Sequence, residues 1–164
     1  KLPLNLFDIP TIKFLFPKAM FICALRHPLD CVLSNWMQNY RYNAAMANMN
    51  DLDRIVSFYD LAMAYFEKCK EKIPLNIHEL KYEDLVENTN LEADKLFQFL
   101  NLELPSNLEQ RRKNYVSTEH IRTPSYSQVT QPIYNDSLQK WKNYQNYLSR
   151  YDTALSHWIT KYGY

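Results

Sequence analysis

The sequence predicts an α/β fold built on a parallel sheet, and three stretches predict it. Met20 to Leu25 is a short apolar run of the kind found in a parallel strand buried on both faces. Arg26 ends that run, and His27-Pro28 leads into Val32, Leu33, Trp36, Met37 and Tyr40, spaced as a helix would place them on one face. After a long helical stripe, Leu75 to Lys81 reads as a second strand, shorter and more polar.

Taken in order, the chain opens with Lys1-Leu2-Pro3-Leu4-Asn5, followed by Ile9, Ile12, Leu15 and Phe16 at helical spacing until Pro17. A helix running directly into a strand reads as half of a βα repeat whose earlier strand lies upstream, so the sequence is expected to be a fragment. Pro28 suits a first helical position and Asp30 a first turn, which starts the next helix there. Ligands of open α/β sheets bind beyond the carboxyl ends of the strands, where Arg26 stands. Arg26 is either the holder of an anion or the partner of a neighbouring carboxylate. Ser34, eight residues after Arg26, is either a second donor or a solvated helix serine.

Asn43 to Asn50 is rich in Asn, Ala and Met, and Asn50 or Asp51 is a candidate cap for the next helix. Ile55, Phe58, Tyr59, Ala62, Phe66 and Cys69 form its apolar stripe, and Pro74 bounds it. If the second strand runs parallel to the first, it delivers Tyr82-Glu83-Asp84-Leu85 to the same end of the sheet. Asn90 is expected to cap a helix carrying Leu91, Leu96, Phe97, Phe99 and Leu100, closed by Pro105. From Tyr115 the texture changes to a hydroxyl-rich stretch with two prolines and little periodicity. Its interleaved Ile121, Tyr126, Val129, Ile133 and Tyr134 suit an ordered functional loop. Ser137 is expected to cap a short helix with Lys140 and Trp141. A final helix carries Leu148, Tyr151, Leu155, Trp158 and Ile159 and ends near Gly163.

The 164 residues suit one domain, and 46% apolar content suffices for a core. A formal charge of +1 gives no sign of a nucleic-acid surface or a polybasic membrane anchor. Gly163 is the one glycine, which excludes a glycine-rich phosphate loop within these residues. Cys23, Cys31 and Cys69 lack C-x-x-C spacing and read as buried reduced thiols. His27, His78, His120 and His157 lack metal-ligand spacing, so no metal site is expected. No run approaches a membrane span.

Together these landmarks resemble the C-terminal portion of sulfotransferases that use 3′-phosphoadenosine 5′-phosphosulfate (PAPS). The resemblance is strongest to protein-tyrosine sulfotransferases and bacterial relatives carrying tetratricopeptide repeats. It implies a three-layer parallel sheet with flanking helices, a P-loop hydrolase-like architecture lacking its N-terminal strand and phosphosulfate loop. Residues 1–164 would then be the C-terminal fragment of one sulfotransferase domain. In that family a strand-ending Arg and a Ser eight residues later hold the 3′-phosphate of the nucleotide, matched by Arg26 and Ser34. A Tyr before an acidic pair contacts the nucleotide, matched by Tyr82. The segment Ser125-Tyr126-Ser127-Gln128 through Tyr134 resembles the covering segment, and Lys140 falls where a basic residue contacts the nucleotide. Lys1 lies 25 residues before Arg26, the spacing of the family's lysine. By resemblance, Lys1 and Ser125 stabilise the transferring sulfonate.

The implied reaction moves a sulfonate from PAPS to a hydroxyl of a peptide tyrosine, a carbohydrate or a small molecule, leaving adenosine 3′,5′-bisphosphate. Gln38 stands where tyrosine-specific enzymes carry a basic residue. The family's catalytic base and 5′-phosphosulfate loop precede the position of Lys1. A catalytically inactive nucleotide-binding module and a small-molecule kinase of related fold are the alternatives. Asn135-Asp136-Ser137 is the one N-glycosylation pattern, and a glycan there would obstruct the nucleotide segment. With the unpaired thiols, this points to the cytoplasm more than to a Golgi lumen.

Overall fold

The computed structural model describes residues 3–38, 46–106 and 138–164. Tyr40, the stretch from Tyr115 to Tyr134 and the expected cap Ser137 lie outside them. A 3-10 helix, Pro3–Asp8, leads into α1 (Ile9–Leu15), β1 (Met20–Leu25) and α2 (Pro28–Trp36). A second 3-10 helix, Met46–Asn50, precedes the long α3 (Leu52–Lys72), which returns the chain to β2 (Asn76–Lys81). Then come α4 (Tyr82–Glu87), α5 (Thr89–Phe99), a 3-10 turn at Lys140–Tyr144, α6 (Gln145–Leu148), a turn at Ser149–Tyr151 and α7 (Asp152–Lys161).

β1 and β2 pair in parallel, with Met20 opposite Asn76 and Leu25 opposite Lys81. The described residues are thus α/β, mostly helical, with a two-stranded sheet. Because the last paired residues are opposite each other, Arg26 and Tyr82 leave the sheet side by side at one edge.

The core forms where α2, α3 and α7 meet one face of this sheet. Val32, Leu33, Ile55, Phe66, Leu155 and Trp158 are buried there, with Phe21, Cys23 and Ile77 packed against them. Burying a leucine such as Leu155, which is 0% exposed, contributes about 1.5 to 3 kcal/mol. The predicted α3 stripe is therefore core, and Asp51 is its cap, accepting the Arg54 N–H at 3.1 Å.

β1 is not buried on both faces. Ile22 is 47% exposed and Ala24 is exposed. Adjacent strand residues point to opposite faces. On the face opposite the core, α5 approaches β2, with Phe99 stacked on His78 at 5.3 Å, and leaves β1 open. The stripe of α1 is likewise buried only at its start. Ile9 is 5% exposed, whereas Leu15 and Phe16 are exposed, because α1 runs past its packing partners among the described residues.

Asn90 is not a cap. The N-cap position of α5 is Asn88, a single residue after α4, and no side chain caps it. The unforeseen α4 brings Leu85 close enough for its carbonyl to accept the Thr89 hydroxyl at 2.8 Å, and α5 begins at Thr89, two residues earlier than an Asn90 cap would place it. Leu91 consequently faces solvent, while Glu92 and Ala93 are buried. Both α5 and α7 end on a left-handed residue, Asn101 at φ 55° and Gly163 at φ 66°. After each, the next N–H reaches back, from Leu102 to Phe97 and from Tyr164 to Ile159.

Candidate functional site

At the carboxyl edge of the sheet, β1 delivers Arg26 and β2 delivers Tyr82. The guanidinium carbon lies 5.3 Å from the centre of the Tyr82 ring, a cation–π contact. One guanidinium nitrogen is 3.6 Å from the Asp30 carboxylate, four residues along the chain. The Arg26 side chain is 22% exposed and that of Asp30 is 0%. The cation is thus oriented by a ring and a buried anion while part of it stays open to solvent.

The turn after Arg26 is fixed from both sides. The His27 N–H donates to Glu83 at 2.9 Å, joining the start of α2 to the start of α4. The His27 Nδ1 accepts the Leu29 N–H at 3.3 Å and so caps α2. An Nδ1 that accepts leaves the proton of a neutral ring on Nε2. Burial pushes His27 below its ordinary range, against the opposing pull of Asp30 and Glu83. The ring is stacked on Trp141 at 4.9 Å and meets the edge of Tyr164 at 5.4 Å.

The C-terminal elements close this edge from a distance in sequence. Asp30 accepts the backbone N–H of Trp141 at 2.9 Å. Lys81 lies over the Tyr164 ring at 5.0 Å and donates to the Gly163 carbonyl at 3.4 Å. Burial and the Glu83 carboxylate push the Tyr164 phenol above its ordinary range.

Among the expected site residues, Arg26 and Tyr82 are in contact. Lys140 opens the 3-10 turn whose next residue is tied to Asp30. Ser34 is exposed on α2. Asp30 and Ser34 are four residues apart on α2, whereas Arg26 precedes the helix and its cap His27. Lys1, Ser125, Tyr126, Ser127, Gln128 and Tyr134 lie outside the described residues.

Of the two alternatives for Arg26, the carboxylate partner is present as Asp30, and 22% of the Arg26 side chain is exposed. Asp30, His27, Glu83, Trp141 and Tyr164 complete this edge beyond the residues that the sequence marks. Only Asp30 carried a local signal, the four-residue spacing from Arg26 that favours a helical ion pair. The others meet through tertiary contacts.

The site offers a positioned, partly exposed guanidinium and, among the described residues, no reactive thiolate. Cys31 places its sulfur 3.7 Å from the Arg26 carbonyl, and burial pushes its thiol up to about 12. Cys23 is raised to about 12 for the same reason. Neither supplies a thiolate near neutral pH. No helix among the described residues is long and apolar enough to cross a membrane.

Residues 1–106 match the model of a family described as "Sulfotransferase family". A protein of Aquifex aeolicus (strain VF5), named only as an uncharacterized protein, is 33% identical over 151 residues, covering 91% of this chain and 19% of that protein. The chain therefore spans about a fifth of that relative's length.

Proposed function

The chain belongs to the sulfotransferase family, and from that premise we propose that it is the nucleotide-binding portion of an enzyme transferring a sulfonate from PAPS to a hydroxyl acceptor. The observation that carries this reading is Arg26, held at the strand edge by Tyr82 and Asp30 with 22% of its side chain exposed. An anchored, partly exposed cation suits a dianionic phosphate. A charge-assisted contact of this kind contributes about 1.5 to 3 kcal/mol.

In this reading Arg26 holds the 3′-phosphate, and the exposed hydroxyl of Ser34 on α2 is a second donor. Tyr82 lines the nucleotide site while keeping the guanidinium aligned, and Lys140 adds a second cation. Ser125, Tyr126, Ser127, Gln128 and Tyr134 cover the nucleotide. With no glycine near Arg26, side chains rather than a close backbone cradle meet the phosphate. The donor supplies an activated sulfonate, whose bond to the 5′-phosphate oxygen breaks as a bond to the acceptor oxygen forms, the acceptor's proton passing to the general base that the resemblance places before Lys1. Lys1 neutralises charge growing on the leaving phosphate, and Ser125 donates to the sulfonate oxygens. A donor so placed is worth about 3 kcal/mol in the transition state. The product is adenosine 3′,5′-bisphosphate.

In the complete domain the parallel sheet is flanked by helices in three layers. The acceptor is a hydroxyl of a peptide, carbohydrate or small molecule.

The test is binding of adenosine 3′,5′-bisphosphate and adenosine 5′-monophosphate to the full-length protein and its Arg26→Ala variant. Arg26→Ala should weaken the bisphosphate by roughly tenfold or more and leave the monophosphate nearly unchanged. Equal losses for both ligands would remove the 3′-phosphate from Arg26. Lys1→Ala should lower kcat more than bisphosphate affinity; an unchanged kcat would remove Lys1 from the chemistry.

A further inference from the structure

Asp30 is one of the most deeply buried side chains of the protein, with a residue exposure of 1%. A buried carboxylate is costly unless both oxygens are engaged. Its two oxygens serve two different elements. One faces the guanidinium of Arg26 at the end of β1 at 3.6 Å, an ion pair without a hydrogen bond. The other accepts the backbone N–H of Trp141 at 2.9 Å, across 111 residues of chain. Trp141 is the residue after Lys140, in a 3-10 turn entered through Gln139 in the left-handed region at φ 52°. The same indole stacks on His27, the residue after Arg26.

Resting on the nucleotide reading above, we infer that Asp30 is a positioning residue that couples the two cations of the site. It holds the Arg26 guanidinium at the start of α2 and pins the backbone that presents Lys140. It touches neither phosphate nor sulfonate. Its role is to make the two cations one preorganised anion clamp, where separately they would be two mobile side chains.

A purely structural role would lower stability without changing discrimination between nucleotides. The coupling role changes discrimination. Asp30→Asn retains an oxygen for the Trp141 N–H and removes the charge facing Arg26. In the full-length protein this variant should lose roughly tenfold of the preference for adenosine 3′,5′-bisphosphate over adenosine 5′-monophosphate, a mid-range value for coupled neighbours. It should also make the losses from Arg26→Ala and Lys140→Ala additive where they are non-additive in the parent. An unchanged or increased preference, or unchanged non-additivity, overturns the assignment.

A second measurement requires no change at Asp30. In the Lys140→Ala variant, bisphosphate should still slow hydrogen exchange at the Trp141 amide through Arg26 and Asp30, and monophosphate should not. Equal exchange with both ligands overturns the coupling even if Asp30→Asn fails to fold. The two readings fail differently. A parent protein with no preference for the bisphosphate sinks the nucleotide site and the coupling with it. A parent that prefers it beside an Asp30→Asn variant that prefers it equally sinks the coupling alone.

Discussion

The indole N–H of Trp158 on α7 donates to Asp60 on α3 at 2.7 Å. It is the middle rung of three. Asp53 accepts the Tyr151 hydroxyl at 2.5 Å, and Glu67 accepts that of Tyr162 at 2.8 Å. The acceptors are seven residues apart, two helical turns, and so lie along one side of α3. Each aromatic donor buries its ring in the core and offers its polar end to the same helix. This ladder holds the C-terminal segment, including Trp141 and Tyr164, against the sheet edge.

Trp158→Phe removes one rung and keeps a ring in the core. Thermal unfolding should show a loss of about 1 kcal/mol, or roughly 2 to 4 °C. No change would show that solvent competes effectively for the half-exposed Asp60.

Glu67 receives Lys70 at 2.9 Å, Lys161 at 3.0 Å and Tyr162. Burial pushes its carboxyl up, but those three donors outweigh burial and hold it below the ordinary 4.5. The folded state therefore binds fewer protons than the unfolded state. The contribution is present above about pH 4.5 and is lost as pH falls through the folded value. Glu67→Gln should flatten the decline of the urea midpoint on acidification. Glu67→Ala, which strands the buried end of Tyr162, should cost about 2 kcal/mol near neutral pH. An equally steep decline in Glu67→Gln would place the acid sensitivity elsewhere.

His27 is neutral in the fold and accepts a cap hydrogen bond. Its ordinary value is 6.5, and burial lowers it, with Lys142 and Arg26 acting in the same sense and Asp30 and Glu83 opposing. The unfolded chain takes up the proton first. Stability falls as pH drops below about 6.5, through this group. Asn at this position still offers a cap oxygen, so His27→Asn should reduce the fall in Tm between about pH 7 and about pH 5. An unchanged pH slope would acquit His27.

Tyr82→Leu keeps bulk beside Arg26 and removes the ring face. Bisphosphate affinity should fall a few-fold, as expected for about 0.5 to 1 kcal/mol. Tyr82→Phe should retain most of the affinity if the ring face is what aligns the guanidinium. A large loss in Tyr82→Phe would assign the work to the hydroxyl instead.

Some of this was legible in one dimension because the determinants are local. The run from Met20 through Arg26 to Pro28 states strand, charge and helix start within nine residues, and β1 and α2 lie there. The stripe from Ile55 to Cys69 fixes α3 by its period, and Asp51 marks its start. The parallel course of β2 followed from the long helix between the strands, which carries the chain back to the same edge. Asn88 in place of Asn90, and the open face of β1, were not legible. Both depend on where α4 and α5 settle against the sheet, and no spacing within either helix encodes that.

The sequence alone determined that a fixed cation would stand at the end of a parallel strand, with Ser34 two turns beyond it and Tyr82 at the neighbouring strand end. Backbone period and chain order suffice for that. Only the tertiary structure decided what Arg26 is held by. The burial of Asp30, its contact with Trp141 across 111 residues, and the closure of the edge by Tyr164 depend on packing the C-terminal helices onto α2 and α3. A buried charge finds its partners in three dimensions, because the cost of taking it from water is offset only where other elements bring a countercharge to one oxygen and a donor to the other.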